Sequence, residues 1–193
     1  MKNLILFAAL AFAALSFKAV TNYKVDTAAS NIAWTGEKVT GKHTGNVKVK
    51  EGSLSLDNGK LTGGSFLIDM TSITCTDLDA GMAGKLVGHL KSADFFGADN
   101  YPTAKFVITR AIPQDTKGNY KILGDLTIKE KTNPVVFKAN VSENAGTISA
   151  TGDITVDRSL YDVRFGSGSF FDNLGDKTIY DEFYLKISLT AKK

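Results

Sequence analysis

Cysteine is almost absent from this sequence, since Cys75 is the only one among 193 residues. A single cysteine cannot form an intramolecular disulfide, which excludes a fold held together by such cross-links. No histidine or cationic cluster lies near Cys75 in sequence to lower its pKa, so we expect a half-buried spectator thiol. With only two histidines, far from the cysteine, the sequence also offers a poor set of zinc ligands.

An excess of charge of one sign is also lacking, because 23 basic residues face 20 acidic ones. Such a balance provides no electrostatic footprint for nucleic acid, and no stripe of Lys and Arg with interleaved aromatic residues appears. We therefore expect no nucleic-acid partner.

Catalytic motifs are missing as well. Both histidines precede Ser167 and Ser169, so a catalytic triad in the order typical of α/β-hydrolases cannot be assembled. No phosphate-binding glycine loop followed by Lys and Ser or Thr is present. The sequence predicts a protein that is not an enzyme and needs no cofactor.

The one long hydrophobic run, Leu4–Leu15, is too short for a membrane span. It has about a dozen residues, whereas a membrane helix needs about 20. Lys2 precedes it, and Ala14-Leu15-Ser16 fits a small-x-small cleavage site, with Ala19 as a second choice. We expect residues 1–19 to be a signal peptide of an exported protein, periplasmic or secreted, with no stable membrane anchor. Residues 20–193 are then one domain; a membrane-anchored N-terminus is the alternative.

Alternating apolar and polar residues predict strands through most of the remaining chain. The alternation changes parity across Glu51-Gly52, which predicts a bulge, and Asp57-Asn58-Gly59 predicts a hairpin turn. About eight strands joined by tight turns, with no proline inside a predicted strand, favour an all-β fold, an eight-stranded antiparallel barrel. The predicted strands are Tyr23–Asp26, Ser30–Val39, Asn46–Leu56, Leu61–Met70, Thr103–Ile112, Tyr120–Ile128, Val135–Val141, Thr147–Asp157 and a last one through Phe183–Leu189.

The stretch Gly81–Pro102 departs from this pattern. Its apolar residues predict a short amphipathic helix over Gly81–Ser92, between the third and fourth main strands, and Phe95 and Phe96 follow it. A single amphipathic helix in an all-β chain is expected to act as a plug or lid. The residues at helical spacing are Met82, Leu86, Val87 and Leu90.

Several segments of the chain resemble the signature of the YceI-like family. The resemblance runs over nearly the whole mature chain and implies a lipocalin-like barrel, exported in bacteria, that binds a polyisoprenoid or similar amphiphilic lipid. Some members bind other amphiphiles, such as fatty amides. Phe170–Asp176 and the Gly-Ala after Phe96 depart from the commonest pattern. The segments that carry the resemblance are Gly88–Phe96, Tyr101–Phe106, Gly124–Ile128, Ile68–Ile73 and Asp157–Ser159 with Tyr161.

We expect the inward faces of the barrel to bind the apolar chain. Gly and Ala on these faces leave room for one slender ligand, or they only relieve crowding in a small twisted barrel. A tail of a few prenyl units would gain about 10 kcal/mol or more before association costs. The candidate lumen residues are Trp34, Phe66, Ile68, Leu86, Leu90, Phe95, Phe106, Ile108, Ile122, Leu126, Phe137, Ile154, Phe183 and Leu185.

Four residues are candidates for binding a lipid head group at the mouth: His89, Arg158, Tyr161 and Arg164. A guanidinium makes bidentate contacts with phosphate oxygens. The alternatives are a structural salt bridge for Arg158, a surface or capping role for His89, and an amphipathic edge of the core for Tyr161.

Two functions are therefore open. The first is an exported lipid-binding protein that holds a polyisoprenoid, such as an isoprenoid quinone or a prenyl phosphate, for storage, transport or stress response. The second is a non-enzymatic interaction or stress-protective module with a packed barrel and no lumen ligand. A homodimer through the outward apolar residues Val107, Leu123 and Val136 is a further hypothesis.

Overall fold

The computed structural model describes residues 20–193, and the nine strands in this part of the chain form one antiparallel sheet that closes on itself. The predicted signal peptide, residues 1–19, lies outside the described residues. The elements are β1 (Thr21–Val25), β2 (Asn31–Lys38), β3 (Gly41–Asp57), β4 (Lys60–Cys75), α1 (Ala80–Lys91), β5 (Thr103–Pro113), β6 (Asn119–Ile128), β7 (Lys131–Asn144), β8 (Thr147–Asp157) and β9 (Ile179–Lys192), with 3₁₀ turns at Arg158–Tyr161 and Gly175–Lys177.

The eight strands β2–β9 form the ring, which confirms the predicted eight-stranded antiparallel barrel. Around the ring, each of β4 to β8 pairs with the next strand in sequence, then β9 pairs with β2, β2 with β3, and β3 with β4. The short β1 supplements this ring, because it pairs with the second half of β3 and with the end of β9. The closed ring leaves no edge strand exposed to pair with another chain.

The longest strand, β3, is bent by a bulge where the change of parity predicted one. Its pairing with β4 shifts register between Val49 and Glu51. A bulge re-aims the side chains that follow it, so Leu54 and Leu56 are buried in the interior as Val49 is. The predicted hairpin turn that follows is also confirmed, because Asn58 and Gly59 have φ values of 51° and 74°.

Proline is tolerated inside β7, contrary to the expectation that no strand contains one. Pro134, which lies between the predicted strands Tyr120–Ile128 and Val135–Val141, is in fact within a strand, and the chain reverses instead at Lys129 and Glu130, which have positive φ. Pro134 lies opposite Asp125 of β6, whereas the pairing of β7 with β8 begins only at Lys138. One side of β7 therefore has no ladder at Pro134, and the missing N–H is not needed there.

The helix α1 lies between β4 and β5 and packs against β4, in agreement with the prediction. Asp79 caps its N-terminus, accepting hydrogen bonds from the backbone N–H groups of Gly81 and Met82 at 3.0 and 3.1 Å. None of its residues is fully buried. Gly84 and Gly88 lower the intrinsic stability of a helix, so α1 depends on its cap and on its half-buried face.

Aromatic rings fill the space beside two inward glycines of the barrel. A Cβ added to Gly124 would lie 2.3 Å from the Phe106 ring, and one added to Gly152 would lie 3.3 Å from the Phe137 ring. The Phe106 ring also packs against Phe66 and Phe137, with centroids 6.3 and 5.7 Å apart. At these positions the small residues accommodate rings, which favours relief of crowding over open space.

We predict that Gly124→Ala destabilises the barrel by about 1–3 kcal/mol, because the new methyl group overpacks the core. It would also lie 2.6 Å from the backbone oxygen of Val107, which cannot move as a side chain can. Gly63→Ala is the matched control, since nothing lies within 4 Å of its added Cβ, and its effect is expected within about 0.5 kcal/mol. Urea unfolding of both variants measures the difference, and equal midpoints would contradict the packing argument.

Candidate ligand-binding site in the barrel lumen

A cavity of about 90 Å³ lies inside the barrel and is lined almost entirely by apolar side chains. All eight strands of the ring contribute to its wall. Among the predicted lumen residues, those that line the cavity are Phe66, Ile68, Phe106, Ile108, Ile122, Leu126, Phe137, Ile154 and Leu185. Their part in binding a ligand stays a prediction.

The cavity also has lining residues that the sequence reasoning did not select. Several lie on the same faces as selected ones, for example Val135, Ala139 and Val141 beside Phe137 on β7, so strand parity would have identified them. Others, such as Leu54, lie beyond the β3 bulge. The further lining residues are Ile32, Val49, Leu54, Leu61, Val135, Ala139, Val141, Ala150, Thr151, Gly152, Ile187 and Leu189.

The volume of the cavity constrains what it admits. An apolar cavity of about 150 Å³ accommodates one benzene molecule, and this cavity is smaller, at about 90 Å³. A polyisoprenoid can therefore enter only if lining side chains move. The largest of those side chains are the rings of Phe66, Phe106 and Phe137.

Three of the remaining predicted lumen residues lie together at the α1 end of the barrel. Phe95 is buried, with its ring centroid 5.0 Å from that of Phe96, which in turn is 6.2 Å from that of Phe183. Leu90 packs against the same core, and its carbonyl oxygen accepts a hydrogen bond from the Phe96 N–H. We call Leu90, Phe95, Phe96 and Phe183 the roof.

The last two predicted lumen residues, Trp34 and Leu86, lie outside both the cavity lining and the roof. Trp34 packs over Gly45, where an added Cβ would lie 2.6 Å from its ring, and its Nε1 donates to the carbonyl oxygen of Thr74 at 3.0 Å. Leu86 is half-buried on α1.

Arg158, a predicted head-group ligand, is buried, with 2% of its surface exposed. Burial lowers the pKa of its guanidinium, and the charges of Asp181 and Asp157 oppose that effect. Its Nη2 lies 3.2 Å from Asp181 Oδ1. The two groups form an ion pair at this distance, but these atoms do not form a hydrogen bond. Its N–H groups also donate at 2.7–3.2 Å to the carbonyl oxygens of Val163, Phe165, Ile179 and Tyr180.

These contacts give Arg158 a structural role. Buried carbonyl groups need hydrogen-bond donors, and this one guanidinium supplies them to two separate segments, Val163–Phe165 and the start of β9. It therefore holds the loop of residues 158–178 against the barrel. The salt bridge that was the alternative for Arg158 is present, and its partner is Asp181. Binding of a head group by Arg158 stays a prediction.

The other three predicted head-group residues lie in different surroundings. Tyr161 is buried, and burial raises its pKa to about 12. Arg164 is exposed, ion-paired with Asp162, and its guanidinium lies 4.9 Å from the centroid of the Phe170 ring. The half-buried His89 ring meets the Phe165 ring edge-on at 4.3 Å, which joins α1 to the 158–178 loop. Arg164 thus offers the most accessible cation of this set.

A cluster that the sequence did not reveal secures the segment between β4 and α1. The carboxylate of Asp77 accepts from the backbone N–H of Thr44 at 3.0 Å and lies 3.0 Å from His43 Nδ1. These contacts, led by the Thr44 N–H, lower the pKa of Asp77 to about 2. Cys75 is half-buried, as expected, and its thiol donates a hydrogen bond to Asp77. The pKa of the Cys75 thiol is raised, mainly by burial and also by this hydrogen bond. A thiol of raised pKa is a weak nucleophile at neutral pH.

Comparison with known proteins identifies the family. The profile described as the YceI-like domain matches residues 23–191. This chain belongs to the YceI-like family. Among curated relatives, a UPF0312 protein of Photorhabdus laumondii is 40% identical over 53 residues, covering 28% of this chain and 27% of its own. A UPF0312 protein of Staphylococcus aureus is 39% identical over 84 residues, covering 40% and 46%. The matches span less than half the length of these relatives.

Solved structures share the barrel over nearly the whole YceI-like domain. BcnA of Burkholderia cenocepacia has a TM-score of 0.67 and 27% identity, covering 87% of this chain and 99% of its own. A polyisoprenoid-binding domain of Saccharophagus degradans has a TM-score of 0.64 and 14% identity, covering 88% and 97%. At that identity the second comparison shows the fold alone. Within residues 20–193, no helix is long and apolar enough to cross a membrane.

We predict that Arg158→Met destabilises the protein by about 3–5 kcal/mol, because it leaves buried carbonyl groups and Asp181 without their partner. The 158–178 loop should become the first site of cleavage in limited proteolysis. Arg164→Met is the matched control, since its ion pair is exposed and the expected loss is within about 1 kcal/mol. Similar losses in the two variants would contradict the anchoring role of Arg158.

The lowered pKa of Asp77 predicts a pH dependence of stability. Because its folded pKa lies below the usual 3.8, its contribution is present at neutral pH and disappears as the pH falls from about 4 through about 2. Asp77 is about one-third exposed, so after allowance for screening by solvent we expect Asp77→Asn to cost about 1 kcal/mol at pH 7. Denaturant unfolding from pH 7 to pH 2 tests this, and a pH-independent difference between variant and wild type would refute it.

Proposed function

We propose that this protein holds a long apolar chain in its barrel and acts as an exported lipid-binding protein. The ligand class is a polyisoprenoid, such as an isoprenoid quinone or a prenyl phosphate, held for storage, transport or stress response. The observation that carries the proposal is the apolar cavity to which every strand of the ring contributes. The polyisoprenoid-binding domain of Saccharophagus degradans, which has the same fold, supports this choice of ligand.

The energetics favour the entry of such a chain although the cavity is small. Each buried CH₂ contributes about 0.8 kcal/mol, so a few prenyl units supply about 10 kcal/mol or more before association costs. Turning a side chain away from its preferred rotamer costs about 0.5–1.5 kcal/mol. The rotamer cost of moving the three phenylalanine rings is therefore less than half of this gross gain, from which lost ring packing and association costs are also subtracted. The lumen is expected to widen around the ligand.

A second function is favoured by a specific observation. The cavity is about 90 Å³ and aromatic rings fill the space beside Gly124 and Gly152, which is what a packed barrel requires. In that case the protein is an interaction or stress-protective module whose outer surface makes the contacts.

The outer surface does carry an apolar patch on β5–β7. Val136 is 55% exposed, and it lies opposite the half-buried Leu123. Together with Val107 on β5, these residues form the surface through which two copies of the protein are predicted to form a homodimer. Light scattering coupled to size exclusion measures the oligomeric state.

We predict that Leu126→Trp abolishes uptake of a polyisoprenoid and leaves the fold intact, because the indole occupies the lumen that the ligand needs. Leu126 lines the cavity opposite Phe106 on the neighbouring strand. Val136→Trp is the matched control, since it adds the same ring to the outer face and should bind normally. Fluorescence titration with a soluble prenyl alcohol, together with circular dichroism, measures both properties.

The alternative outcomes separate the two functions. Unfolding of Leu126→Trp, with no ligand taken up by the wild type, favours the packed barrel. Native mass spectrometry of the protein from its own host adds an independent test, because a stoichiometric mass increment that extracts as an isoprenoid establishes a carrier. The same spectrum shows whether residues 1–19 have been removed, as export through a signal peptide requires.

A further inference from the structure

The two ends of the barrel are closed in different ways. At the end opposite α1, the interior is covered by buried side chains, none more than 6% exposed. We call these residues the floor; they are Tyr23, Leu54, Leu61, Tyr120 and Ile148. Leu54 and Leu61 also line the cavity, so the floor is the inner boundary of the lumen.

Two tyrosines of the floor are held at both ends. Tyr120 projects from β6, and its hydroxyl oxygen accepts a hydrogen bond from the backbone N–H of Leu61 on β4 at 3.1 Å. This contact spans β5, the strand between them. Tyr23 projects from β1, and its hydroxyl donates to the carboxylate of Glu143 on β7, beyond β8 and β9. Each ring is therefore fixed by the sheet on one side and by its hydroxyl on the other.

The wall around the floor is continuous as well. β2 begins only at Asn31, and below that point β1 takes its place between β3 and β9. Tyr23 pairs with Leu54 on one side of β1, and Val25 pairs with Ala191 on the other. Ala191 and Ile148, which also pair with each other, have no exposed surface. The strand β1 therefore completes the wall between β3 and β9 at this end.

The α1 end is less firmly closed. No residue of α1 is fully buried, and the roof residues Leu90, Phe96 and Phe183 are only partly buried. The 158–178 loop that meets α1 carries Phe165 with 45% of its surface exposed. These residues of α1 and of the roof are less buried than the floor, so a chain that enters between them would advance towards the floor.

We propose that the floor sets the length of the apolar chain that the barrel accepts. This inference rests on the proposed function, and it adds a specificity determinant: the chain gains affinity with each carbon until its end meets Leu54 and Leu61. Carbons beyond that limit stay outside the barrel and add little.

The dimensions of the lumen indicate the length of the apolar chain that the barrel accepts. On β4 the cavity wall extends from Leu61 to Ile68, roughly 23 Å of strand at about 3.3 Å per residue. With a strand tilt of about 40°, this is about 18 Å along the barrel axis. Half of a bilayer's hydrocarbon core is about 15 Å. The lumen is thus about as deep as one leaflet of a membrane, and the preferred ligand is a lipid chain of that length.

The test measures affinity against chain length. A series of linear primary alcohols displaces a fluorescent apolar dye from wild type, Leu61→Ala and Ile68→Ala. In wild type, affinity should rise about fourfold per added methylene and then level off. Leu61→Ala deepens the floor, so the plateau should move to chains longer by about three carbons, the number that this substitution removes.

Ile68→Ala is the matched control, because it also lines the cavity on β4 but lies at the α1 end. It should weaken binding of every chain alike and leave the plateau in place. If the plateau lies at the same chain length in Leu61→Ala and Ile68→Ala, or if no plateau appears, the floor does not determine the length of the chain. Binding in the lumen is not contradicted by that result. Failure of both the dye and every alcohol to bind refutes lumen binding, and the inference with it.

A second variant keeps the test decisive if Leu61→Ala does not fold, which circular dichroism will show. Ala150 lines the cavity on β8, opposite Leu189 and Val141 near the floor. Ala150→Val adds two carbons there and creates no void. A plateau at a shorter chain supports the proposal, and an unchanged plateau overturns it.

Discussion

Closure of the sheet between β3 and β4 is the constraint on which the rest of the structure depends. β3 must pair with β2 in its first half, with β1 in its second half, and with β4 throughout. A regular strand cannot keep its apolar residues inward along such a path, because side chains alternate between faces with a fixed period. The bulge at Glu51 resolves this conflict. Without it, Leu54 and Leu56 would face solvent and the floor would lose its anchor on this side.

The space left inside the barrel is set by a second packing constraint. Phe66, Phe106 and Phe137 project into a ring of only eight strands, which has room for side chains or for one slender ligand. Gly124 and Gly152 leave the rings space at the wall. The same three side chains therefore account for the small volume of the cavity.

Much of this architecture is predictable from local sequence. Parity of apolar residues identifies the strands, the switch at Glu51-Gly52 identifies the bulge, and Asn58-Gly59 identifies a hairpin. Helical spacing places α1 within one residue of its observed ends. The extension of β7 through Pro134 was not predicted, because the absence of a ladder on one side of β7 is a property of the assembled sheet.

The parts of the site that escape prediction are those made by contacts distant in sequence. Nothing near Arg158 indicates that its donors reach carbonyl groups at the start of β9. The link between Tyr23 and Glu143 likewise joins the first strand to the seventh. Parity also shows that Gly152 faces inward, but not that the Phe137 ring lies beside it. Local patterns thus predict which faces are inward, and the closed sheet decides what those faces contact.

The difference between the two ends of the barrel connects the fold to its dynamics. Regions with few buried apolar contacts open at lower free energy than the core. The floor has buried side chains, tethered tyrosine hydroxyls and paired strands, whereas α1 is a short, glycine-containing helix with no buried residue. Arg158 fixes the 158–178 loop through carbonyl groups that lie outside α1, and its guanidinium lies 5.3 Å from the centroid of the Phe95 ring in the roof. The contacts that hold this end are the packing of α1 against β4, the roof contacts and the contact between His89 and Phe165, and none of them belongs to the pairing of the closed ring of strands.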